Sequence, residues 1–325
     1  MKAFQILNPG ALTTIQDFGR KGYMKYGTPA SGAADPFAAE AANLLVGNDP
    51  GAALLEITLF RLDLLALENL TIAVTGGDLT PTVNKNPLPM WRSAPVQRGD
   101  RIAFRGRKTG FRAYLAVRGG LAAEEFLGSR SVFLRGLMGQ PLRAEAILST
   151  EEDPAGDFQP RVMPPERVPD YSRRGPLRVI LGPQDDRFTA KGIEIFLTSE
   201  YKVSAQSDRM GYRLEGPKIE HLRGADIISE GIARGAIQVP GDGLPIILLW
   251  DAQVSGGYTK IANVIGADLG IPAQVMPGET IRFAKVSLEE AHRALRGQKE
   301  RLEEIRSVFV DRRGGRSSRK RPGIS

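Results

Sequence analysis

Hydrophobic residues occur along this chain in short runs that are separated by turn-forming residues. The runs that predict β-strands span residues 70–76, 101–104, 112–117, 177–182, 245–250 and 280–286. The 37 glycines exceed the ~7% that is usual for proteins, and together with 22 prolines they indicate many turns between short strands. The pattern therefore predicts a mainly β protein.

Three segments predict helices. Asp35 and the proline after it suit a helix start, because aspartate caps free N–H groups and proline fits the first helical position; Gly47 suits the end. A second helix is predicted to begin at Asp185. A last one begins at Ser287, where a glutamate three residues later completes a capping box. We expect few short helices and a C-terminal helix.

Composition divides the chain into five segments. Residues 151–176 contain six prolines, six acidic residues and few large apolar ones, which is typical of a linker. The predicted strands fall on either side of it. The division is an N-terminal β domain (1–150), the linker (151–176), a C-terminal β domain (177–286), a helix (287–310) and a basic, disordered tail (311–325).

The two β segments share two motifs in the same order. GRKGYMKYGTP (19–29) resembles DRMGYRLEGP (208–217), and VQRGDRIAF (96–104) resembles VMPGETIRF (275–283). The separation from Arg20 to Gly99 is similar to that from Arg209 to Gly278. Two motif pairs in one order predict an internal duplication, with two copies of one β fold facing each other.

Charge and hydropathy exclude several classes of protein. The net charge is +7, but residues 311–325 hold six Arg or Lys and one Asp, so the first 310 residues carry only +2. A nucleic-acid partner is therefore not favoured. No apolar run approaches the ~20 residues of a membrane span, and no secretory signal is visible, so we expect a cytoplasmic protein without a membrane partner. The absence of cysteine fits a reducing compartment.

The motifs of several cofactor-dependent classes are missing. The two histidines, His221 and His292, are far apart, and no HExxH or CxxC occurs, so no metal site is predicted. Neither a Walker phosphate loop nor a strand–GxGxxG–helix unit is present. The remaining candidates for catalysis are carboxylates, arginines, tyrosines and the backbone amides of glycine-rich turns.

The first polar cluster lies in residues 13–43, a glycine-rich segment that contains Asp17, Arg20, Tyr23, Ser31 and Asn43. Turns that carry many polar groups on a β scaffold are common binding sites. Structural roles stay open: Asp17 and Arg20 could bridge a turn, and the later Asp of this segment could act only as a helix cap.

A second cluster is GSRS at residues 128–131. Arg130 and Ser131 could offer a guanidinium and backbone N–H groups to an anion, or the segment could be a plain hairpin loop. A third cluster, residues 207–216, contains Asp208, Arg209 and Tyr212, and is followed along the chain by Glu230 and Gln238.

The fourth cluster spans residues 250–264. Asp251 directly follows a strand with the composition of a buried one, which makes this carboxylate a candidate general base; it could equally brace a loop. Gly257 and Tyr258 follow in the sequence SGGYTK.

The chain resembles the allophanate hydrolase subunit 2 family. The resemblance rests on TTIQDFGRKGY, TPASGAAD, RAYLAVRGG, LGSRS, SDRMGYRLEG, SGGYTKIANVIGADL and PGETIRF, and it runs in order from about residue 3 to residue 286. This family is also called biotin-dependent carboxyltransferase-like, and its members include 5-oxoprolinase components and the Kip antagonist. The resemblance implies two cyclophilin-like β-barrel domains.

The resemblance also implies a function in a complex. We expect this chain to act with two partner chains, which resemble the A and B subunits of 5-oxoprolinase. Together they would hydrolyse 5-oxo-L-proline to L-glutamate with ATP, whose site could lie in or be shared with a partner. One alternative is a biotin-dependent carboxyltransferase of the urea carboxylase type, with biotin as cofactor. The other is a non-catalytic regulator that binds a kinase inhibitor.

The chemistry of lactam hydrolysis suggests roles for the residues of the four polar clusters. Arginines would hold the substrate carboxylate and phosphate, carboxylates would activate water, and tyrosines would position the ring. The predicted catalytic residues are Asp17, Arg20, Asp208, Arg209, Glu230 and Asp251. The predicted substrate-binding residues are Tyr23, Ser31, Asn43, Arg130, Ser131, Tyr212, Gln238, Gly257 and Tyr258.

Overall fold

The first half of the molecule is built from eleven strands. The computed structural model describes residues 1–152, 158–172 and 175–310. The strands form a six-stranded sheet of order β11-β1-β4-β9-β6-β7 and a five-stranded sheet of order β2-β3-β10-β5-β8, which enclose one apolar core. They are β1 (Lys2–Pro9), β2 (Leu12–Gln16), β3 (Leu54–Thr58), β4 (Leu62–Ala66), β5 (Leu70–Gly76), β6 (Pro81–Val83), β7 (Asn86–Pro87), β8 (Ser93–Val96), β9 (Arg101–Phe104), β10 (Arg112–Val117) and β11 (Ile147–Ser149).

The second half has ten strands around a separate core. Eight of them form a sheet of order β20-β13-β14-β17-β16-β19-β12-β21, while β15 and β18 form a two-stranded sheet that we call the glycine ribbon (residues 226–231 and 255–258). The strands are β12 (Leu177–Leu181), β13 (Tyr201–Val203), β14 (Gly211–Glu215), β15 (Asp226–Gly231), β16 (Ala236–Gln238), β17 (Ile246–Leu248), β18 (Ser255–Tyr258), β19 (Lys260–Val264), β20 (Thr280–Ile281) and β21 (Phe283–Lys285). The predicted mainly β fold with two β-barrels is confirmed.

Three α-helices accompany the strands in the described residues: α1 (Pro36–Val46), α2 (Ala190–Thr198) and α3 (Leu288–Val310). The predicted caps of α1 are confirmed, with Gly47 in the left-handed conformation at its end. The predicted start of α2 at Asp185 is wrong. Residues 185–187 form a 3-10 turn, and extended backbone at Phe188, which bridges to His221, delays the helix until Thr189 can cap it.

Helix α3 connects the two halves. Its predicted capping box is present, because the Ser287 N–H donates to Glu290 at 2.8 Å and the Glu290 N–H donates back to the Ser287 hydroxyl at 3.2 Å. Near its middle, Gln298 donates to a carbonyl of the second half at 3.2 Å. Towards its end, buried Ile305 and Phe309 pack against α1 of the first half. The helix thus spans both barrels; the predicted tail, 311–325, lies outside the described residues.

The turns at Gly99 and Gly278, which belong to one of the two duplicated motif pairs, adopt the same local structure, as the predicted duplication requires. Gly99 and Gly278 both have left-handed backbone, with φ of 89° and 93°. In each turn an acidic side chain accepts a hydrogen bond from the backbone N–H three residues earlier. The N–H of Gln97 donates to Asp100 and that of Met276 donates to Glu279, each at 2.8 Å. Any side chain at these glycines would have to adopt a backbone conformation that L-residues rarely take.

The helices can be compared with the dimensions of a lipid bilayer. None of those in the described part of the chain combines the length and the apolar composition that a transmembrane span requires.

Candidate functional site

Loops from both barrels meet at the interface between the two halves. The N–H of Ser31 donates to the carbonyl of Trp250 at 3.1 Å, and Arg209 Nη2 donates to the carbonyl of Gly32 at 2.7 Å. The predicted clusters around residues 17–32 and 208–251, which are far apart in sequence, therefore share one buried polar region.

Asp251 lies at the centre of this region. It is 7% exposed, and its carboxylate accepts Arg209 Nε at 2.8 Å and Arg209 Nη2 at 3.2 Å. Arg209 also donates through Nη1 to Glu56 at 2.5 Å. Although burial opposes the charge of Arg209, the carboxylates of Glu56 and Asp251 raise its pKa overall. All three nitrogens of Arg209 are thus engaged by protein groups, so its main effect is to hold Asp251 in place.

Glu56 anchors the same network from strand β3. It is 1% exposed, and its Oε2 accepts the N–H of Ala34 at 2.7 Å and the hydroxyl of Tyr114 at 3.0 Å. Arg112 Nε lies 3.6 Å from Oε1. Burial by itself would raise the pKa of Glu56, but Arg209 and Arg112 outweigh it and hold the pKa below its usual value. Glu56 is therefore ionised and fully partnered.

Arg20 differs from Arg209 because part of its hydrogen-bonding capacity is unused. The side chain is 1% exposed, and Nη2 donates to the carbonyl of Ser131. Among the described residues, no acceptor meets its Nε or Nη1 and no ion pair forms. Burial lowers the pKa of this guanidinium, against the opposing effects of Asp17 and Asp251. A buried cation with unsatisfied N–H groups is costly, which makes Arg20 a strong candidate for anion binding.

A further arginine, Arg234, borders this region. Its guanidinium carbon lies 3.6 Å from the ring centroid of Trp250, and Nη2 donates weakly to the carbonyl of Ser31 at 3.3 Å. Burial, assisted by repulsion from Arg209, lowers its pKa to about 10. Within the described chain, Arg234 forms no ion pair. It adds positive charge next to Asp251.

Ser31 has the features of a residue that is constrained for function. Its φ of 53° lies in the left-handed region, which costs a non-glycine residue ~1–3 kcal/mol. The side chain is fully buried, and its hydroxyl has no hydrogen-bond partner among the described residues. Ser31 therefore has a buried, unpartnered hydroxyl, and its role in substrate binding stays a prediction.

Two small cavities flank Asp251. One, of about 160 Å³, is lined by Arg209, Asp251 and residues 132–135. The other, of about 170 Å³, is lined by Arg234, Trp250 and residues 29–30. A larger cavity of about 380 Å³ lies between α3 and residues 166–171, and two of the arginines that line it, Arg178 and Arg167, already pair with acids. We place the candidate site at the two small cavities.

The GSRS loop already binds an anion, namely the carboxylate of Asp17. Oδ1 accepts the hydroxyls of Ser129 at 2.6 Å and Ser131 at 2.5 Å, and Oδ2 accepts the N–H of Arg130 at 2.7 Å. The Arg130 guanidinium turns outward and pairs with Glu151 at 2.6 Å. Asp17 therefore braces this loop and the carbonyl that receives Arg20.

Several other predicted residues have structural contacts. Asn43, buried in α1, donates to the carbonyl of Ala52 at 2.8 Å. Tyr212 is buried and donates to the Val275 carbonyl at 3.0 Å. The exposed Asp208 pairs with Arg135 at 2.7 Å, and Tyr23 lies on a surface turn beside Tyr26. These side chains surround the interface rather than forming one binding surface, and the tyrosines do not converge.

The remaining predicted residues form a second group in the C-terminal barrel: Glu230, Gln238, Gly257 and Tyr258. Three of them lie in the glycine ribbon, and Gln238 lies on β16. The predicted site is therefore divided into an interface group around Asp251 and a ribbon group around Glu230.

Sequence reasoning did not single out Glu56, Arg112 or Arg234. The sequence did contain a signal for Glu56 and Arg112, because each is a charged residue within an apolar strand, ALLEIT and RAYLAV. A charge in such a strand is buried only when it has partners. No comparable signal marks Arg234, since IARGA resembles an ordinary turn.

Asp35 lies beside this network and combines two roles. Its Oδ1 caps α1, while Oδ2 accepts the Tyr171 hydroxyl at 2.8 Å and Gln274 Nε2 at 3.0 Å. Burial raises the pKa of this carboxyl, with a smaller contribution from Glu56, and the hydrogen bonds only partly offset the rise. Protonated Asp35 is therefore favoured in the folded state relative to the unfolded chain.

This shift predicts a pH dependence of stability. Protonated Asp35 adds to the free energy of unfolding at pH values below ~3.9, the ordinary pKa of aspartate. This stabilisation is lost as the pH rises through the higher pKa that Asp35 has in the folded protein. Asp35→Asn keeps the helix cap without titrating. We expect wild type to lose free energy of unfolding relative to this variant between pH 4 and pH 8, measured by urea unfolding. A constant difference across this range would contradict the assignment.

Comparison with known families places the chain among carboxyltransferase domains. Residues 26–285 match the family described as carboxyltransferase domain, subdomain A and B. The chain is 35% identical over 301 residues to the C subunit of 5-oxoprolinase from Escherichia coli, covering 93% of this chain and 97% of that protein.

Relatives with a different named activity are also similar. Urea amidolyase of Lachancea kluyveri is 33% identical over 328 residues, which cover 93% of this chain but 18% of that protein. The crystal structure of Kluyveromyces lactis urea carboxylase matches with a TM-score of 0.88 and 34% identity, over 94% of this chain and 29% of that chain.

Proposed function

Because the chain belongs to the carboxyltransferase domain family, subdomains A and B, we propose that it is one component of a cytoplasmic 5-oxoprolinase complex. In this proposal it acts with partner chains like the A and B subunits of 5-oxoprolinase to hydrolyse 5-oxo-L-proline to L-glutamate with ATP. The match over nearly the whole of a 5-oxoprolinase C subunit supports it.

The observation that carries the proposal is the unsatisfied guanidinium of Arg20. Its Nε and Nη1 have no partner among the described residues, and its charge interacts with that of Asp251; the hydroxyl of Ser31 is likewise buried without a partner. An anionic substrate needs charge-assisted donors of this kind, and 5-oxoproline carries one carboxylate. We infer that Arg20 and Ser31 bind this carboxylate, and that Arg234 adds to the positive field.

The reaction requires a base for water. Asp251 borders a small cavity and is held by Arg209, so its carboxylate can accept a proton from water that attacks the lactam carbon. The oxygen–carbon bond forms, the carbon–nitrogen bond breaks, and the nitrogen takes up a proton to leave as the amine of glutamate. Arg234 would stabilise the negative charge that develops on the carbonyl oxygen.

ATP does not fit the cavities beside Asp251. Their volumes of about 160 and 170 Å³ lie below the ~300–1,000 Å³ of pockets that enclose drug-sized ligands. They suit a small ring such as 5-oxoproline. We therefore propose that ATP binds mainly to a partner chain.

Reconstitution tests the proposed function. This chain is co-expressed with the two partner chains, and ATP-dependent release of glutamate from 5-oxoproline is measured. We expect glutamate release to fall to background when this chain is omitted. Unchanged glutamate release without it would overturn the proposal.

Carboxyl transfer from carboxybiotin is a second candidate, favoured by the similarity to urea amidolyase and urea carboxylase. The same preparation, supplied with carboxybiotin and urea, distinguishes the two. Carboxylated urea without glutamate release would favour this second function.

A further inference from the structure

The ribbon group has no role in the proposed hydrolysis of 5-oxoproline, yet it adjoins a buried lysine. Lys260 on β19 and Gln238 on β16 are paired residues of neighbouring strands, so their side chains leave the sheet on the same face. They are 4% and 2% exposed. Two side chains that carry N–H donors are thus buried side by side beneath the glycine ribbon.

Both donors are incompletely satisfied. Among the described residues, Gln238 Nε2 has no hydrogen-bond partner. Lys260 Nζ lies 2.6 Å from Glu230 Oε1, which is close enough for an ion pair but poorly aligned for a hydrogen bond. An ammonium group has three donors, so one such contact leaves capacity for further acceptors.

The ribbon directs Glu230 towards these donors. Glu230 on β15 is paired with Gly256 on β18. A Cβ atom on Gly256 would lie 3.0 Å from Gln238 Nε2 and 2.7 Å from Ile232 Cδ1, so this face of the ribbon points at Gln238. Because paired residues project to the same side, Glu230 also points there. The glycine leaves room for the Gln238 amide and for Ile232 beneath the ribbon.

The Glu230 carboxylate is held by donors from two other residues, Lys260 and Gln184. Oε1 also accepts Gln184 Nε2 at 2.8 Å. These contacts, from Lys260 first and Gln184 second, lower the pKa of Glu230. The Glu230 side chain is 45% exposed, whereas that of Lys260 is 5% exposed. The carboxylate can therefore turn into water, while the ammonium stays buried and requires an anionic partner.

We propose that Lys260, Gln184 and Gln238 form a binding site for a small oxyanion, carboxylate or phosphate, and that Glu230 occupies it as a displaceable internal ligand. An external oxyanion must compete with Glu230, so the wild-type protein binds it weakly. The proposal does not depend on the hydrolysis of 5-oxoproline, because it concerns a different group of residues and a binding equilibrium.

Removal of the internal ligand tests this site. Acetate and inorganic phosphate are titrated separately into wild type, Glu230→Ala and Asp226→Ala at constant ionic strength, and binding is measured by calorimetry. Asp226→Ala is the matched control, because it removes the same charge from an exposed position of the same strand. We expect at least tenfold tighter binding to Glu230→Ala and wild-type affinity for Asp226→Ala.

A second substitution links binding to the lysine. Adding Lys260→Met to Glu230→Ala should abolish the gain in affinity, whereas Lys260→Arg should retain it; thermal unfolding establishes that each variant is folded. The preference of Glu230→Ala for acetate or for phosphate identifies which oxyanion fits. Equal affinities of Glu230→Ala and wild type would overturn the proposal. So would an equal gain in Asp226→Ala, or a gain that survives Lys260→Met.

Discussion

Substitution of Arg20 by methionine should reduce kcat/KM of the reconstituted complex for 5-oxoproline by about 100-fold or more. Hydrogen bonds to a charged group contribute ~1.5–3 kcal/mol each, and two unused donors of Arg20 are available to the substrate. Each 1.4 kcal/mol of lost transition-state stabilisation corresponds to about a tenfold change. Initial rates of glutamate release at varied 5-oxoproline measure the effect.

A matched arginine elsewhere provides the control. Arg101 is half-exposed and pairs with buried Asp63 of the first barrel, which keeps Arg105 as a second partner, so Arg101→Met removes the same charge without reaching the interface. We expect wild-type kcat/KM for that variant. Arg20→Lys should recover only part of the activity, because a single ammonium cannot reproduce the forked guanidinium. Rates within threefold of wild type in Arg20→Met would exclude the proposed carboxylate contact.

Substitution of Glu56 by glutamine should lower the free energy of unfolding by about 3–5 kcal/mol. The change keeps the shape of the side chain but leaves Arg209 and Arg112 buried without their shared carboxylate, and breaking a buried ion pair from one side costs this much. Urea-induced unfolding measures the change. The exposed Glu68, altered to Gln, is the control and should shift stability by less than about 0.5 kcal/mol.

A double-mutant cycle then isolates the pair. If Glu56 and Arg209 interact as the structure shows, Glu56→Gln combined with Arg209→Met should cost less than the sum of the two single changes, because removing both charges leaves neither buried alone. Additive losses would show that the two residues act independently.

Local signals predicted the secondary structure well where they were strong. The Asp–Pro start and glycine end of α1, the capping box of α3 and the strands at 70–76, 101–104 and 112–117 all appear as expected. The start of α2 failed because a long-range bridge between Phe188 and His221 holds the backbone extended. Helix-forming tendency is a weak prior against such tertiary contacts.

The sequence named several residues of the candidate site but not their arrangement, and their roles in a reaction stay predictions. Arg20, Ser31, Arg209 and Asp251 do meet at the interface. The sequence could not show that Asp17 would saturate the GSRS loop. That distinction depends on which hydrogen bonds are already made inside the protein.

The sequence was sufficient for the mainly β fold, for the duplicated turns and for the starts of helices α1 and α3, because strand periodicity, glycine conformation and capping act over a few residues. Its division of the chain around a proline-rich segment stays a prediction. Tertiary structure alone decided that Arg20 is left with free donors while Arg209 is fully engaged, and that Glu230 faces Lys260. The reason is physical. The chemistry of a buried charge is set by desolvation and by the partners that packing brings near it, and those partners come from distant parts of the chain.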